Sequence, residues 1–320
     1  MSETANLPDL ITILGPTATG KTALAAALAA ELGSEVISAD SRQVYRGMTI
    51  GTGKDYGDYI VQGRPVPYHL VDIMEAGTAY NVFQYQQDFL KVYEPLRLKG
   101  KIPVLCGGSG LYLEAVLKRY RMVSVPFDAD LRQELAGQSD QDLIRILEGM
   151  KSLHNVSDTG SRKRLERAIE IARYEQTHPP ASPFPEIRSV NFGISFERPA
   201  IRDRITRRLR QRLAEGLVEE VERLMAEGVS LETLKYYGLE YKFVASFLAG
   251  ELSRDRMFEG LNIAIHQFAK RQMTWFRKME REGTEIHWID GNVSTESKIR
   301  AILSRLKAYR HALENPPPAL

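Results

Sequence analysis

The chain has 320 residues, 43% hydrophobic and 26% charged, with a formal net charge of +2, the composition of an ordinary globular protein with one large or two modest domains. So small a net charge does not announce a nucleic-acid partner, and any basic surface must come from local segregation. The single cysteine, Cys106, excludes an intramolecular disulfide and a cysteine-based zinc site. The polar N-terminus and the lack of an apolar run near 20 residues lead us to expect a cytoplasmic protein without membrane contact.

In chain order, the first apolar run, Leu10–Leu14, predicts a strand, and the alanine-rich 21–32 predicts a helix. Between them stand Gly15, Pro16, Thr17, Ala18, Thr19, Gly20, Lys21 and Thr22, the pattern G-x-x-x-x-G-K-[ST] in its required strand-to-helix context. The glycines let backbone N–H groups converge on an anion, and the helix N-terminus and Lys21 add positive charge. Thr22 offers a hydroxyl to a magnesium ion. A di- or triphosphate is therefore the expected ligand.

Further strands are expected at 35–38, 69–73 and 103–106, and further helices at Val82–Leu98 and Gly110–Leu117. This alternation predicts an α/β fold, similar to that of P-loop NTPases, with a parallel sheet flanked by helices. Asp40, with Ser41, Arg42 and Gln43, follows the second strand, on the rim where parallel sheets bind ligands. It reads equally as a general base or magnesium ligand and as a turn-capping residue. Asp72 could end a strand as a magnesium-holding acid or be structural. Gly107-Gly-Ser-Gly110 is a second glycine-rich turn on that rim, fitting either a ligand contact through Ser109 or a plain tight turn. Cys106 reads as a small core residue.

The texture changes near Val125. Residues 1–126 form the first part of the core, and 127–187 read as an all-helical insertion ending in a proline-rich run. Residues 188–313 return to the core with a strand at 189–196, helices at 199–227, 239–249 and 255–281, a strand at 285–289 and a helix at 294–313; 314–320 read as a disordered tail. Positive charge segregates in Arg162-Lys-Arg-Leu-Glu-Arg167 and in the stretch 198–212, which holds seven arginines in fifteen residues. Arg204 and Arg208 share a helix face there. Such runs fit solvated faces or phosphate contacts. In Lys270-Arg-Gln-Met-Thr-Trp-Phe-Arg-Lys278, aromatics among cations fit base stacking or helix packing equally. These features alone suit an ATP-dependent kinase or ATPase as well as a transferase acting on nucleic acid.

Together, five segments resemble the tRNA dimethylallyltransferase (isopentenyltransferase) family of the bacterial type. They are the phosphate loop, Ser38-Ala-Asp-Ser-Arg-Gln-Val-Tyr-Arg-Gly-Met-Thr-Ile-Gly-Thr52, Gly107-Gly-Ser-Gly-Leu-Tyr112, Arg164-Leu-Glu-Arg-Ala-Ile-Glu170 and Ala269-Lys-Arg-Gln-Met-Thr-Trp275. The resemblance implies that the loop holds dimethylallyl diphosphate, with Mg2+ at Thr22. The acceptor would be the exocyclic amine of the adenosine 3′ of the tRNA anticodon. Transfer to free adenine nucleotides is the alternative, against which the basic insertion helix argues, because a free nucleotide gives its arginines nothing to hold. Asp40 would be the general base, and Arg208 would reach the pyrophosphate. Asp40, Ser41, Arg42, Gln43, Ser109, Arg132, Lys163, Arg164, Leu165, Glu166 and Arg167 would contact the anticodon stem-loop, and the enzyme is expected to be a monomer. The chain departs from the family at Ser109, where many members have threonine, and at Tyr236-Tyr-Gly-Leu-Glu-Tyr241, where many have Ile-Gly-Tyr. It departs again at Ile265-His266, where Thr-Arg is frequent. No zinc-finger extension of the eukaryotic kind is expected.

Overall fold

The computed structural model describes residues 7–150, 160–178 and 184–314. Strand β1 (Leu10–Leu14) is buried at every position. Ile11 and Ile13 pack into the cluster that holds Leu24 and Leu28, while Leu10 and Leu14, opposite by strand alternation, are also fully buried. A strand buried on both faces needs helices on each side, as parallel sheets have. The chain continues through α1 (Lys21–Glu31), β2 (Val36–Ala39), a small antiparallel hairpin of β3 (Ile60–Val61) and β4 (Arg64–Pro65), and β5 (Tyr68–His69). Then come α2 (Val82–Leu98), β6 (Val104–Gly107) and α3 (Gly110–Leu117).

After the insertion, β7 (Ser189–Ser195) returns to the sheet, followed by α7 (Arg198–Ala214), α8 (Leu217–Ala226), α9 (Leu231–Tyr236), α10 (Leu239–Leu248), α11 (Arg254–Arg281), β8 (His287–Asp290) and α12 (Thr295–Glu314). The six-stranded sheet has the order β5-β2-β6-β1-β7-β8, with every pairing parallel. Ile302 and Leu306 of α12 join the cluster under α1.

Packing divides the chain into two units, 1–118 with 186–320, and 119–185. The second is helical among its described residues, with α4 (Ala129–Ala136), α5 (Asp140–Met150) and α6 (Arg162–Thr177) around Leu131, Leu143, Leu147, Leu165 and Ile169.

Two expected elements differ. The strand expected at 69–73 stops at His69, because Leu70 (φ 61°) and Asp72 (φ 55°) are left-handed and cannot continue a ladder. The single helix expected at 199–227 breaks at Gly216, whose φ of 104° ends α7 and starts α8. The tail expected from 314 begins at the last residue of α12, and 315–320 lie outside the described residues, as do 179–183 of the proline-rich run. No helix among the described residues is long and apolar enough to cross a membrane.

Candidate active site on the carboxyl rim of the sheet

Three loops meet at one end of the sheet, following β2, β6 and β1 in spatial order: the turn 40–43, the glycine turn 107–110 and the phosphate loop 15–22. The middle loop is built from close approaches. A Cβ on Gly107 would strike the backbone of Ala39, one on Gly108 would lie 2.5 Å from the amide nitrogen of Gln272, and one on Gly110 would enter the Trp275 ring. These glycines serve space rather than an unusual φ. Ser109 Oγ accepts the backbone N–H of Ser41 at 3.0 Å. Gln272, buried on α11, donates to the Gly108 carbonyl at 2.8 Å and accepts the Thr17 N–H at 2.9 Å. One serine and one glutamine thereby fasten the three loops together.

Within the phosphate loop, Ala18 (φ 64°) and Gly20 (φ 76°) curl the chain, and Thr19 Oγ1 donates to the Pro16 carbonyl at 2.9 Å. Gly20 caps α1 without a side-chain hydrogen bond, and the first turn of α1 holds no acid, which leaves its N–H groups to an incoming anion. Lys21 Nζ lies 3.4 Å from the Pro16 carbonyl. Burial holds the Lys21 ammonium below its ordinary pKa, and Arg208 and Arg212 push the same way, against Asp40. Cys106 is buried beneath, its thiol pushed up to about 12 by burial, so it is a core residue as expected.

Asp40 caps its turn and keeps an oxygen in reserve. Its Oδ1 accepts the N–H groups of Arg42 (2.9 Å) and Gln43 (3.3 Å), and no protein donor among the described residues reaches Oδ2. The Gln43 amide accepts the Ser38 hydroxyl at 3.4 Å and donates to the carbonyls of Gly53 (3.1 Å) and Thr52 (3.4 Å). Arg42 reaches across to the Tyr236 carbonyl at 3.0 Å.

A row of arginines on α7 faces the same loops. Arg204 Nε donates to the Ala18 carbonyl at 2.9 Å, Arg208 pairs with Asp55 at 2.8 Å, and buried Arg212 pairs loosely with Glu240 at 3.5 Å. Arg208 and Arg212 crowd Gly53, where a Cβ would overlap both guanidinium groups. Between this row and the phosphate loop lies a small cavity, walled by Ile205, Leu209 and Ile265 and edged by Thr17 and Arg208. Burial and neighbouring arginines lower the pKa of Arg204 and Arg212. Cations gathered this closely with few acids favour an anionic guest.

Glu220 of α8 carries no sequence signal, yet it organises the loop that follows the 40–43 turn. Its carboxylate accepts the N–H groups of Thr49 (2.8 Å), Ile50 (2.7 Å) and Gly51 (3.0 Å), and the Tyr241 hydroxyl donates to it at 2.7 Å. Gly51 leaves room for the Tyr241 ring, which a Cβ would meet at 2.5 Å. Glu220→Ala strands those donors and is expected to cost about 2–4 kcal/mol in urea denaturation; a loss below about 1 kcal/mol would show that water replaces the carboxylate. Gln272 was within reach of sequence reasoning only through the segment 269–275.

Other expectations resolve structurally. Asp72 is committed to Lys54 and to the Tyr56 hydroxyl (2.6 Å) and holds the loops together. In the 270–278 run, Phe276 is fully buried and Trp275 packs against Gly110 with Lys278 over its ring at 5.2 Å, so packing, rather than stacking on bases, describes these aromatics.

In the helical unit, Arg132 bonds Glu166 (2.7 Å) and Glu170 (3.2 Å). Arg167 pairs with Glu170 and donates to the Val125 carbonyl at 2.7 Å. Leu165 is 1% exposed in the unit's core, so its side chain is a packing group and not a contact for a ligand. Lys163 and Arg164 are exposed and have no ion pair among the described residues.

Residues 43–279 match the family described as IPP transferase, and residues 8–68 match isopentenyl transferase. The chain is 55% identical to tRNA dimethylallyltransferase 2 of Bacteroides fragilis over 302 residues, covering 94% of this chain and 99% of that protein. It is 56% identical to tRNA dimethylallyltransferase 1 of Parabacteroides distasonis over 292 residues, covering 91% and 95%. Its fold is similar to the crystal structure of the full-length tRNA isopentenylpyrophosphate transferase of Bacillus halodurans, with a TM-score of 0.68, 30% identity and coverage of 94% and 96%. A eukaryotic dimethylallyltransferase acting on tRNA, 18% identical, shares the fold with a TM-score of 0.75 over 96% of this chain and 80% of that one. Matched along nearly its whole length by such relatives, with its phosphate loop and Asp40 turn fastened to one rim, the chain belongs to the IPP transferase family, the tRNA dimethylallyltransferases.

Proposed function

We propose that this enzyme transfers a dimethylallyl group from dimethylallyl diphosphate to the exocyclic amine of the adenosine 3′ of a tRNA anticodon. The observation that carries this reading is the joined rim, where a proton acceptor and an anion cradle are held together through Ser109 and Gln272. The amine nitrogen bonds to C1 of the dimethylallyl group as the C1–O bond to the diphosphate breaks. The amine proton passes to Asp40 Oδ2, and pyrophosphate leaves. Developing charge on the leaving group is met by the α1 N–H groups, Lys21 and Arg208. The acceptor base must leave the loop stack to reach the rim, and Gln43 and Ser109 flank the place it would occupy.

Among the described residues no trio of acidic, histidine or cysteine groups is gathered for a metal. Magnesium in such sites takes one or two protein ligands and completes its shell with substrate phosphates and water. The Thr22 hydroxyl on the first turn of α1 suits that role, and the ion would supply further charge neutralisation of the pyrophosphate.

Phosphate contacts of the RNA are assigned to Lys163 and Arg164, since Arg132 and Arg167 already hold the helical unit together. Reversing charge at both (K163E/R164E) is expected to weaken tRNA binding and reduce the slope of log K against log salt by about one to two. R167E instead should lower the melting temperature of the protein. Equal salt slopes in K163E/R164E and the native protein would remove these residues from the RNA interface. The function itself is tested by mass analysis of anticodon-loop nucleosides after incubation with unmodified tRNA and dimethylallyl diphosphate, with ATP as the competing donor. A prenylated adenosine is expected with the former, and phosphate transfer from ATP without it would overturn the reading.

A further inference from the structure

Tyr236, the last residue of α9, is 67% exposed, and its hydroxyl has no partner among the described residues. Its backbone is nonetheless fixed from both sides. The next residue, Tyr237, is 1% exposed, lies against Tyr45 with ring centroids 4.5 Å apart, and donates its hydroxyl to the Thr78 carbonyl at 2.9 Å while accepting the Gly77 N–H. Gly238, at φ 141°, then turns the chain. On the other side, the Arg42 guanidinium donates to the Tyr236 carbonyl at 3.0 Å and sits 5.3 Å from the Tyr236 ring centroid. Arg42 is in turn tied through its backbone N–H to Asp40. A solvent-facing aromatic ring thus stands on a backbone fixed by Arg42 and Tyr237, with the Arg42 guanidinium beside it and Arg42 itself bonded to the proposed proton acceptor.

Core packing does not account for this ring, since most of it meets water. Rigid exposed aromatics backed by a guanidinium are what unpaired bases stack upon. The reaction proposed above extracts one base from a stacked loop, so a neighbouring base loses a stacking partner and needs another surface. Resting on that reading, we infer that Tyr236, backed by Arg42, stacks on an unpaired anticodon-loop base beside the target adenosine and holds the opened loop next to Asp40. Tyr236 is then a positioning residue for the RNA, without contact to the diphosphate.

The test compares Y236A, Y236L and Y236W in steady-state transfer to an unmodified anticodon stem-loop, with separate binding of dimethylallyl diphosphate. Y236A and Y236L are expected to raise KM for the RNA by about ten-fold, Y236W to restore it, and diphosphate affinity to stay at the native value in all three. A 2-aminopurine placed beside the target adenosine should be quenched on binding the native protein and Y236W, but not Y236A. A native KM in Y236A, equal behaviour of Y236L and Y236W, or parallel loss of diphosphate affinity would each overturn the inference. Failure of the native enzyme to form any prenylated adenosine would defeat the functional reading first, and the inference with it.

Discussion

Replacing Asp40 with asparagine is expected to lower the rate of prenyl transfer by about 10²- to 10⁴-fold, the span that a positioned proton acceptor contributes, with tRNA affinity unchanged. The contrast depends on the two carboxylate oxygens having different duties. Oδ1 receives the N–H groups of Arg42 and Gln43 and so shapes the turn. An asparagine carbonyl accepts the same two bonds, so the turn, Gln43 and the Arg42–Tyr236 contact keep their places. The amide NH2 cannot accept the amine proton, which is the function assigned to Oδ2. Single-turnover measurements with saturating RNA isolate the chemical step. Near-native turnover in Asp40→Asn would leave Asp40 as a turn cap and move the proton elsewhere. Asp40→Ala removes both duties, so it should weaken RNA binding more than the asparagine variant does.

The second large effect is expected at Lys21. Removing its charge (K21M) should lower the transfer rate by about 10²- to 10³-fold, comparable to losing one preorganised group that stabilises developing negative charge. Its pH behaviour gives a finer test. In the free enzyme, burial holds the Lys21 ammonium below its ordinary range, with Arg208 and Arg212 adding to the depression. A bound diphosphate favours the charged form and raises that pKa. Binding therefore takes up a proton once the pH exceeds the free-enzyme value. Diphosphate affinity should fall as pH rises, starting below the ordinary lysine pKa of about 10.4, and K21M should show a flat profile over the same range. Titration calorimetry in buffers of different ionisation enthalpy reads the proton uptake directly. A native protein whose affinity is independent of pH there would remove Lys21 from the diphosphate site.

The local motifs were legible because their chemistry is local. Gly15 to Thr22 declares itself through glycine placement and the flanking strand and helix, and Asp40 through its position at a strand end. The sequence left Asp40 evenly divided between cap and base; the structure shows the cap in Oδ1 and leaves Oδ2 open to the other role. What escaped were side chains acting across long chain separations. Gln272 meets Gly108 at 164 residues' distance, and Glu220 gathers amides about 170 residues earlier. No periodicity or spacing encodes such pairings. The strand expected at 69–73 failed for a different reason, since Leu70 and Asp72 adopt left-handed φ that composition does not reveal. The break at Gly216 was readable in principle, as a glycine ending one helix and opening the next. The basic run on α6 did not announce that Glu166 and Glu170, on the same helix, pair with Arg132 of α4 and that Glu170 also pairs with Arg167.

The order of strands also bears on how the chain can be made. β1 lies between β6 and β7, and its second edge is closed only when Leu10 pairs with Ser189. During synthesis from the N-terminus, the phosphate-loop strand therefore waits, with one edge open, through the whole helical unit. Open edges of apolar strands invite pairing with other chains, and parallel pairings this distant form slowly. The glutamine that fastens the phosphate loop to its neighbour comes later still, at Gln272. A nascent chain stopped before α11 would carry the whole motif without the side chain that ties it to the Gly108 turn, so the phosphate loop gains that tie only once Gln272 has been made.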